Sequence, residues 1–172
     1  MFDKVSLKEF VVSPFHKIGK DWMLITAGTE EEYNMMTASW GGFGFLWNQP
    51  VAFIFVRPQR YTYKFLEDND WFTLSFFTKT YKSQLTFCGT RSGKDTDKTE
   101  MTGFKPVVTD QGNIIFEQAQ WAMECRKVYY DDLNPDQFID RLINRNYPNK
   151  DYHRMYIGKI TELYRKTRRK TK

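Results

Sequence analysis

The chain predicts a mainly β domain, a closed or partly closed antiparallel barrel carrying a few short flanking helices. Two observations lead there: short apolar, β-favouring runs recur along the 172 residues, and the helical patterns between them are short and irregularly placed. Regular strand–helix alternation, which a parallel α/β sheet needs, is missing. Residues 22–27 are the first apolar run, bounded by Lys20-Asp21 and Gly28-Thr29. Glu30-Glu31-Glu32 reads as a solvated hairpin turn before a second strand at 33–40, which ends in a glycine pair. Residues 51–56 form a continuous apolar run of the kind found where both strand faces are covered. Tyr61 to Asp68 predicts a helix with Tyr61 and Phe65 on one side. Aromatic and β-favouring residues at 71–77 give another strand, and 81–88 a second helix with Tyr81, Leu85 and Cys88 on one face. Gly103, Pro106 and Asp110-Gln111-Gly112-Asn113 punctuate the next stretch. Strands follow at 121–130 and 155–163. Between these two, Asn134-Pro135-Asp136 carries the strongest helix-start signal in the chain: a cap, a first-turn proline and an acid at the positive dipole end. The stripe Phe138, Ile139, Leu142 and Ile143 would be that helix's buried face.

Composition narrows the function classes. Aromatic residues make up 17% of the chain, enough to build a dense core or to line a flat ligand, and disorder of the body is excluded. The purest apolar run spans six residues, where a membrane helix needs about 20. Residues 1–8 alternate apolar and charged side chains and give no secretory pattern. Two cysteines, Cys88 and Cys125, fit a reducing, cytoplasmic setting. The net charge of +5 belongs to the C-terminus: residues 165–172 hold six Lys/Arg, and the rest carries 20 basic and 21 acidic groups. We therefore divide the chain into one domain over 1–164 and a solvated basic tail over 165–172. Nucleic-acid binding would rest on that tail alone, with no interleaved basic and aromatic stripe in the body.

Familiar catalytic motifs fail on inspection. Gly42-Phe43-Gly44 begins like a dinucleotide fingerprint, but Trp47 holds the third glycine's place and Asn48-Gln49-Pro50 follows instead of a helix. Gly89-Thr90-Arg91-Ser92-Gly93-Lys94 is one residue short of a phosphate loop, and Asp95 stands where a magnesium-binding hydroxyl belongs. His16, His153, Cys88 and Cys125 have no metal-ligand spacing, so no metal is expected. Two histidines and scattered serines do not assemble a nucleophile, base and acid. Any catalysis would depend on a cofactor.

Four segments carry more information together than singly. Met36-Thr37-Ala38-Ser39-Trp40-Gly41-Gly42 ends a strand with hydroxyls, a small residue, a large ring and permissive backbone, so a flat ligand can approach the main chain. Val56-Arg57-Pro58-Gln59-Arg60-Tyr61-Thr62 offers guanidinium groups and helix-start amides suited to a phosphate. Ser75-Phe76-Phe77 ends another strand, and residues 88–98 form a cationic, hydroxyl-rich stretch after a helix.

In this order the segments resemble the flavin reductase-like family, the FMN-binding split barrels that include flavoredoxins, over about residues 10–163. The likeness is most specific in Asn34-Met35-Met36-Thr37-Ala38-Ser39-Trp40, in Arg57-Pro58-Gln59-Arg60-Tyr61-Thr62, in Ser92-Gly93-Lys94-Asp95-Thr96-Asp97-Lys98 and in His153-Arg154-Met155-Tyr156-Ile157-Gly158. It implies a six-stranded antiparallel Greek-key split barrel and a homodimer with FMN near the subunit interface. Thr37, Ala38, Ser39 and Trp40 would border the isoalloxazine and ribityl chain. Arg57, Gln59, Arg60, Tyr61 and Thr62 would take the ribityl and phosphate side. Ser75 and Phe76 would lie against the flavin, and Ser92, Gly93, Lys94 and Lys98 would close over the phosphate. His153 would contact an incoming nicotinamide or else hold a strand end. The implied activity is an oxidoreductase that accepts hydride from NADH or NADPH and passes electrons to flavin, ferric iron or a redox protein partner. The alternative is a flavoredoxin-like FMN carrier without direct NAD(P)H oxidation.

Overall fold

Apolar runs bounded by turn residues become strands in the computed structural model, which describes residues 1–167. In chain order these are β1 (Phe2–Lys4), β2 (Met23–Gly28), β3 (Tyr33–Ala38), β4 (Gly41–Leu46), β5 (Gln49–Val56), β6 (Trp71–Phe76), β7 (Pro106–Val108), β8 (Ile114–Phe116), β9 (Trp121–Asp132) and β10 (Arg154–Lys166). The main sheet runs β3-β2-β6-β9-β10-β5-β4, with β1 added against β10 and every pairing antiparallel. β3 and β4, adjacent in sequence, end at opposite edges of this order, which leaves the barrel split between them. The antiparallel split-barrel expectation holds, but six strands was an undercount. The glycine-rich β4 and the three-residue β1 join the sheet, and β7 and β8 form a separate hairpin.

One apolar layer fills the inside of the curved sheet, with Ile25, Leu74, Phe76, Met123 and Leu163 among its buried residues. A second covers the outer face of β2, β3 and β6 and holds Leu24, Met35, Phe77, Leu85, Cys88, Phe104 and Phe116. This double cover explains why all six β2 residues are buried. The helices are α1 (Pro14–His16), α2 (Tyr61–Asp68), α3 (Lys82–Thr90) and α4 (Lys98–Thr102). α2 buries Thr62, Phe65 and Leu66, an i, i+3, i+4 set that seats it on the sheet. α3 buries Leu85 and Cys88. Asp97 caps α4 by accepting from the Thr99 and Glu100 amides, and Gly103 closes the helix in the left-handed conformation at φ 66°. The Glu30–Glu32 turn joins β2 to β3 as expected.

The helix expected from Asn134 onward is replaced by two 3-10 segments, Pro135–Gln137 and Arg141–Asn146. Asn134 does cap, accepting from the Asp136 amide, but Phe138 turns the backbone extended at ψ 107° and ends the first segment. Ile139, Leu142 and Ile143, the expected buried stripe, are exposed. The chain instead buries Tyr147 and stacks Phe138 on it at 6.1 Å. Of the expected tail, Arg165 and Lys166 complete β10, pairing with Asp3 and Phe2. The remainder of the basic tail, 168–172, lies outside the described residues. No helix among the described residues is long and apolar enough to cross a membrane.

Candidate functional site

Where β3 ends, Ala38 makes the last ladder pair with Met23, and Ser39 and Trp40 leave the sheet exposed. β10 pairs Arg154 with Val56, so His153 and Arg57 occupy matching positions just beyond that ladder. Arg60, three residues on, sits at the N-cap of α2 in extended backbone. These termini meet in one cleft of about 190 Å³ lined by Met36, Thr37, Ala38, Ser39, Trp40, Phe55, Arg57, Arg60 and His153. Trp40 and His153 face each other with ring centroids 5.1 Å apart. Two guanidinium groups and an imidazole line the cleft, and no carboxylate does.

Arg60 has a second relationship beneath the cleft. It donates to the carbonyls of Gly89 (2.6 Å) and Cys88 (3.2 Å) at the end of α3. The buried Lys98 Nζ donates to that same Cys88 carbonyl (3.2 Å) and to the Met35 carbonyl (2.7 Å). α4 explains this placement: Lys98 is its first residue, and the Asp97 cap turns it inward beneath β3. Cations suit a helix C-terminus, yet neither Arg60 nor Lys98 has a carboxylate partner among the described ion pairs. Burial, reinforced by the neighbouring Arg60 charge, pulls the Lys98 pKa down to about 8. Burial also lowers that of Arg60. Cys88 is held as a thiol, pushed by burial to about 11.

Arg57 is engaged elsewhere. It binds Asp151 (2.6 Å) and the Asn146 carbonyl (2.8 Å), and its guanidinium lies 5.1 Å from the Tyr147 ring centroid. The Gln59 amide donates to the same Asp151 carboxylate. Tyr147 in turn hydrogen-bonds His153 Nδ1 at 2.8 Å. Burial and the Arg57 charge hold the His153 pKa down to about 4, so the ring is neutral at ordinary pH.

The structure thus brings Thr37, Ala38, Ser39, Trp40, Arg57, Arg60 and His153 together. Tyr61, Gly93, Lys94 and Lys98 line a separate cleft of about 570 Å³, whose lining also includes Glu31, Glu32, Asp95 and Asp97. Gly93 packs there so closely that a Cβ would stand 1.9 Å from Asn34 Oδ1. Thr62 is buried and accepts from Asn34 Nδ2 at 2.7 Å. Ser92 accepts from the Lys94 amide in an exposed turn. Ser75 and Phe76, expected to lie against the flavin, sit apart from these residues. Both are fully buried and neither lines the cleft. Phe76 packs inside the barrel against Phe10 and Phe43, while Ser75 shares a ladder row with Thr37 but lies beyond the intervening Leu24 of β2. Tyr147, Asp151 and Phe55 were missed. The run Asn146-Tyr147-Pro148-Asn149-Lys150-Asp151-Tyr152-His153 held a signal, aromatic and acidic residues packed before a strand, which the helix expectation for the preceding segment obscured.

Residues 15–172 match the family model for the flavin reductase like domain. This chain belongs to the flavin reductase-like family. Among solved structures, flavoredoxin from Methanosarcina acetivorans superposes with a TM-score of 0.66 at 20% identity, covering 84% of this chain and 68% of that one. An FMN-binding protein from Thermus thermophilus, solved with 1-cyclohex-2-enone, gives 0.69 at 20% identity over 95% and 78% of the two chains. The NADH:FAD oxidoreductase of Streptomyces globisporus gives 0.63 at 16% identity over 84% and 75%. At such identities the likeness is one of fold. No curated protein matches the chain. The split barrel described above is therefore that of the flavin reductase-like family, reached by a chain that has diverged widely in sequence.

Proposed function

We propose that this flavin reductase-like protein binds FMN and works as an oxidoreductase, with NADH or NADPH as reductant and flavin, ferric iron or a redox protein as acceptor. The observation that carries the reading is the Arg60–Lys98 pair. Buried Lys98 and half-buried Arg60 converge on the Cys88 carbonyl, and neither is ion-paired among the described residues, an arrangement that costs free energy until an anion arrives. Arg60 also lines the cleft, whose Trp40 ring, Ser39 hydroxyl and neutral His153 suit a planar heteroaromatic with polar edges. These donors fit FMN: a dianionic phosphate for the two cations and a flat ring system for the aromatic cleft.

When bound, FMN supplies the two-electron redox chemistry, which accounts for a site without nucleophile, base and acid. The chain's own residues then have definable tasks. Arg60 and Lys98 neutralise the phosphate. Ala38, with only a methyl side chain, lets the ring system approach the β3 backbone. Trp40 and His153 form the wall against which a nicotinamide is aligned, and alignment is the main protein contribution to transfer between two stacked rings. Arg57 and Gln59 act at one remove by holding Asp151 and the segment that carries His153. The cleft in one protomer is smaller than the ~300–1,000 Å³ of a typical enclosing ligand site. A second copy of the chain is proposed to complete it.

Absorbance of the purified protein after incubation with FMN and removal of free flavin tests the reading. Retained yellow colour, bleached rapidly by NADH or NADPH without oxygen, is the expected result. Colour bleached by dithionite and only slowly by either nicotinamide would select the flavoredoxin-like carrier. A protein that stays colourless would overturn the proposal.

A further inference from the structure

Tyr147 is buried inside a box of its own segment. Phe138 stacks on it, Tyr152 lies 4.8 Å away centroid to centroid, and the Arg57 guanidinium caps the ring at 5.1 Å. Burial raises its pKa, so the phenol keeps its proton. A buried O–H needs an acceptor, and the one that Tyr147 has among the described residues is His153 Nδ1 at 2.8 Å. The phenol therefore donates. An imidazole that is neutral and accepts at Nδ1 must carry its proton on Nε2. The ring edge left for the cleft is then an N–H, beside Trp40.

We propose that Tyr147 is a positioning residue that locks His153 as the neutral Nε2–H tautomer, so that the imidazole presents a hydrogen-bond donor to a carbonyl or carboxamide oxygen of the ligand in the cleft. The ligand class rests on the flavin and nicotinamide reading above; the tautomer rests on the Tyr147–His153 contact and the burial of both groups. The charged groups that face His153 from the elements packed against it are Arg57, at the end of β5, and Asp151, in its own segment. They are paired with each other at 2.6 Å. In this arrangement His153 is no general acid or base. It keeps one protonation state through the physiological range, and the cleft keeps one hydrogen-bonding polarity.

The direct test is nitrogen NMR of the ¹⁵N-histidine-labelled protein without added flavin. His153 is expected to show the Nε2–H signature and no titration between about pH 5 and 8. In Tyr147→Phe the two tautomers should mix and the midpoint should climb towards 6.5. A wild-type His153 that is Nδ1–H, or that titrates near 6.5, overturns the proposal whether or not the variant folds. With flavin-loaded protein, Tyr147→Phe should raise the KM for the nicotinamide roughly three- to tenfold, the worth of one neutral hydrogen bond, with FMN retention unchanged. An unchanged KM would overturn the ligand contact. If the protein fails to hold FMN while the tautomer stands, the functional reading falls and the role of Tyr147 survives. If FMN is held and the tautomer is wrong, the reverse is true.

Discussion

Lys98, proposed above to bind the FMN phosphate, would do so at the expense of stability. Its folded pKa, near 8, lies below the ordinary 10.5, so between those values the unfolded chain holds more protons. Stability of the flavin-free protein should therefore rise with pH from about 8 towards 10.5, and the charged lysine opposes folding below that window. Lys98→Met should raise the melting temperature of flavin-free protein at pH 7 while weakening FMN binding. Lys98→Met and Arg60→Ala should each cost about 1–3 kcal/mol of FMN affinity, the scale of a charge-assisted hydrogen bond, measured by fluorescence titration. Wild-type affinity should also decline as pH rises above 8 and Lys98 loses its charge. His153 behaves in the same sense at lower pH. Its folded pKa of about 4 lies below 6.5, so its contribution is complete above 6.5 and is lost as pH falls towards 4. His153→Gln should flatten the acid limb of a stability–pH curve in that window. Arg60, Lys98 and His153 stood out in the sequence as candidate ligand contacts. Their partners did not, because contacts of Lys98 with Met35 and of Arg60 with Cys88 depend on how separate elements pack.

At the scale of elements, the segment between β9 and β10 is where local signals misled. Asn134, Pro135 and Asp136 start a helix correctly, but a cap specifies a first turn and not the length that follows. The spacing of Phe138, Ile139, Leu142 and Ile143 mimics a helix face. Phe138 gains more by stacking on Tyr147 and packing against Tyr152, and that competition unwinds the segment. Asp151 fastens it through Arg57 and Gln59. Asp151→Asn should leave the barrel's amide exchange unchanged while speeding exchange across Arg141–Asn146; equal protection in both proteins would show that the clamp is dispensable. β4 misled in the opposite direction. Glycines at 41, 42 and 44 argue against a strand, but the Phe53 ring on neighbouring β5 lies against Gly42 and Gly44 and supplies the missing contact. The β4–β5 turn places both Trp47 (φ 51°) and Asn48 (φ 58°) in left-handed backbone, as a two-residue hairpin of right-handed twist requires. Asn at that position is ordinary. Trp is costly there, and its exposed ring rests on Tyr129 at 6.2 Å.

Across the whole molecule, the strands with covered faces, β2, β5, β6, β9 and β10, were readable from their apolar runs, and so was the antiparallel class. The closing pieces were not. β1 spans three residues and finds its partner, the end of β10, about 160 positions away. A proposed dimer belongs to this scale as well. Phe45, Trp47, Tyr129 and Tyr130 are exposed, and Trp40 stands half open over a cleft too small to enclose a flavin. Sedimentation should give twice the 20.6 kDa chain mass, and a monomer that still retains FMN would remove the second copy from the site. In the proposed function one cleft grips a planar ring while half-buried Arg60 and buried Lys98 grip its phosphate. Titrating the flavin-free protein with FMN and with riboflavin, which lacks the phosphate, tests this most directly. FMN should bind more tightly by roughly 30-fold or more, matching two charge-assisted contacts of about 1–3 kcal/mol each. Equal affinity for the two, or none for either, would contradict the account.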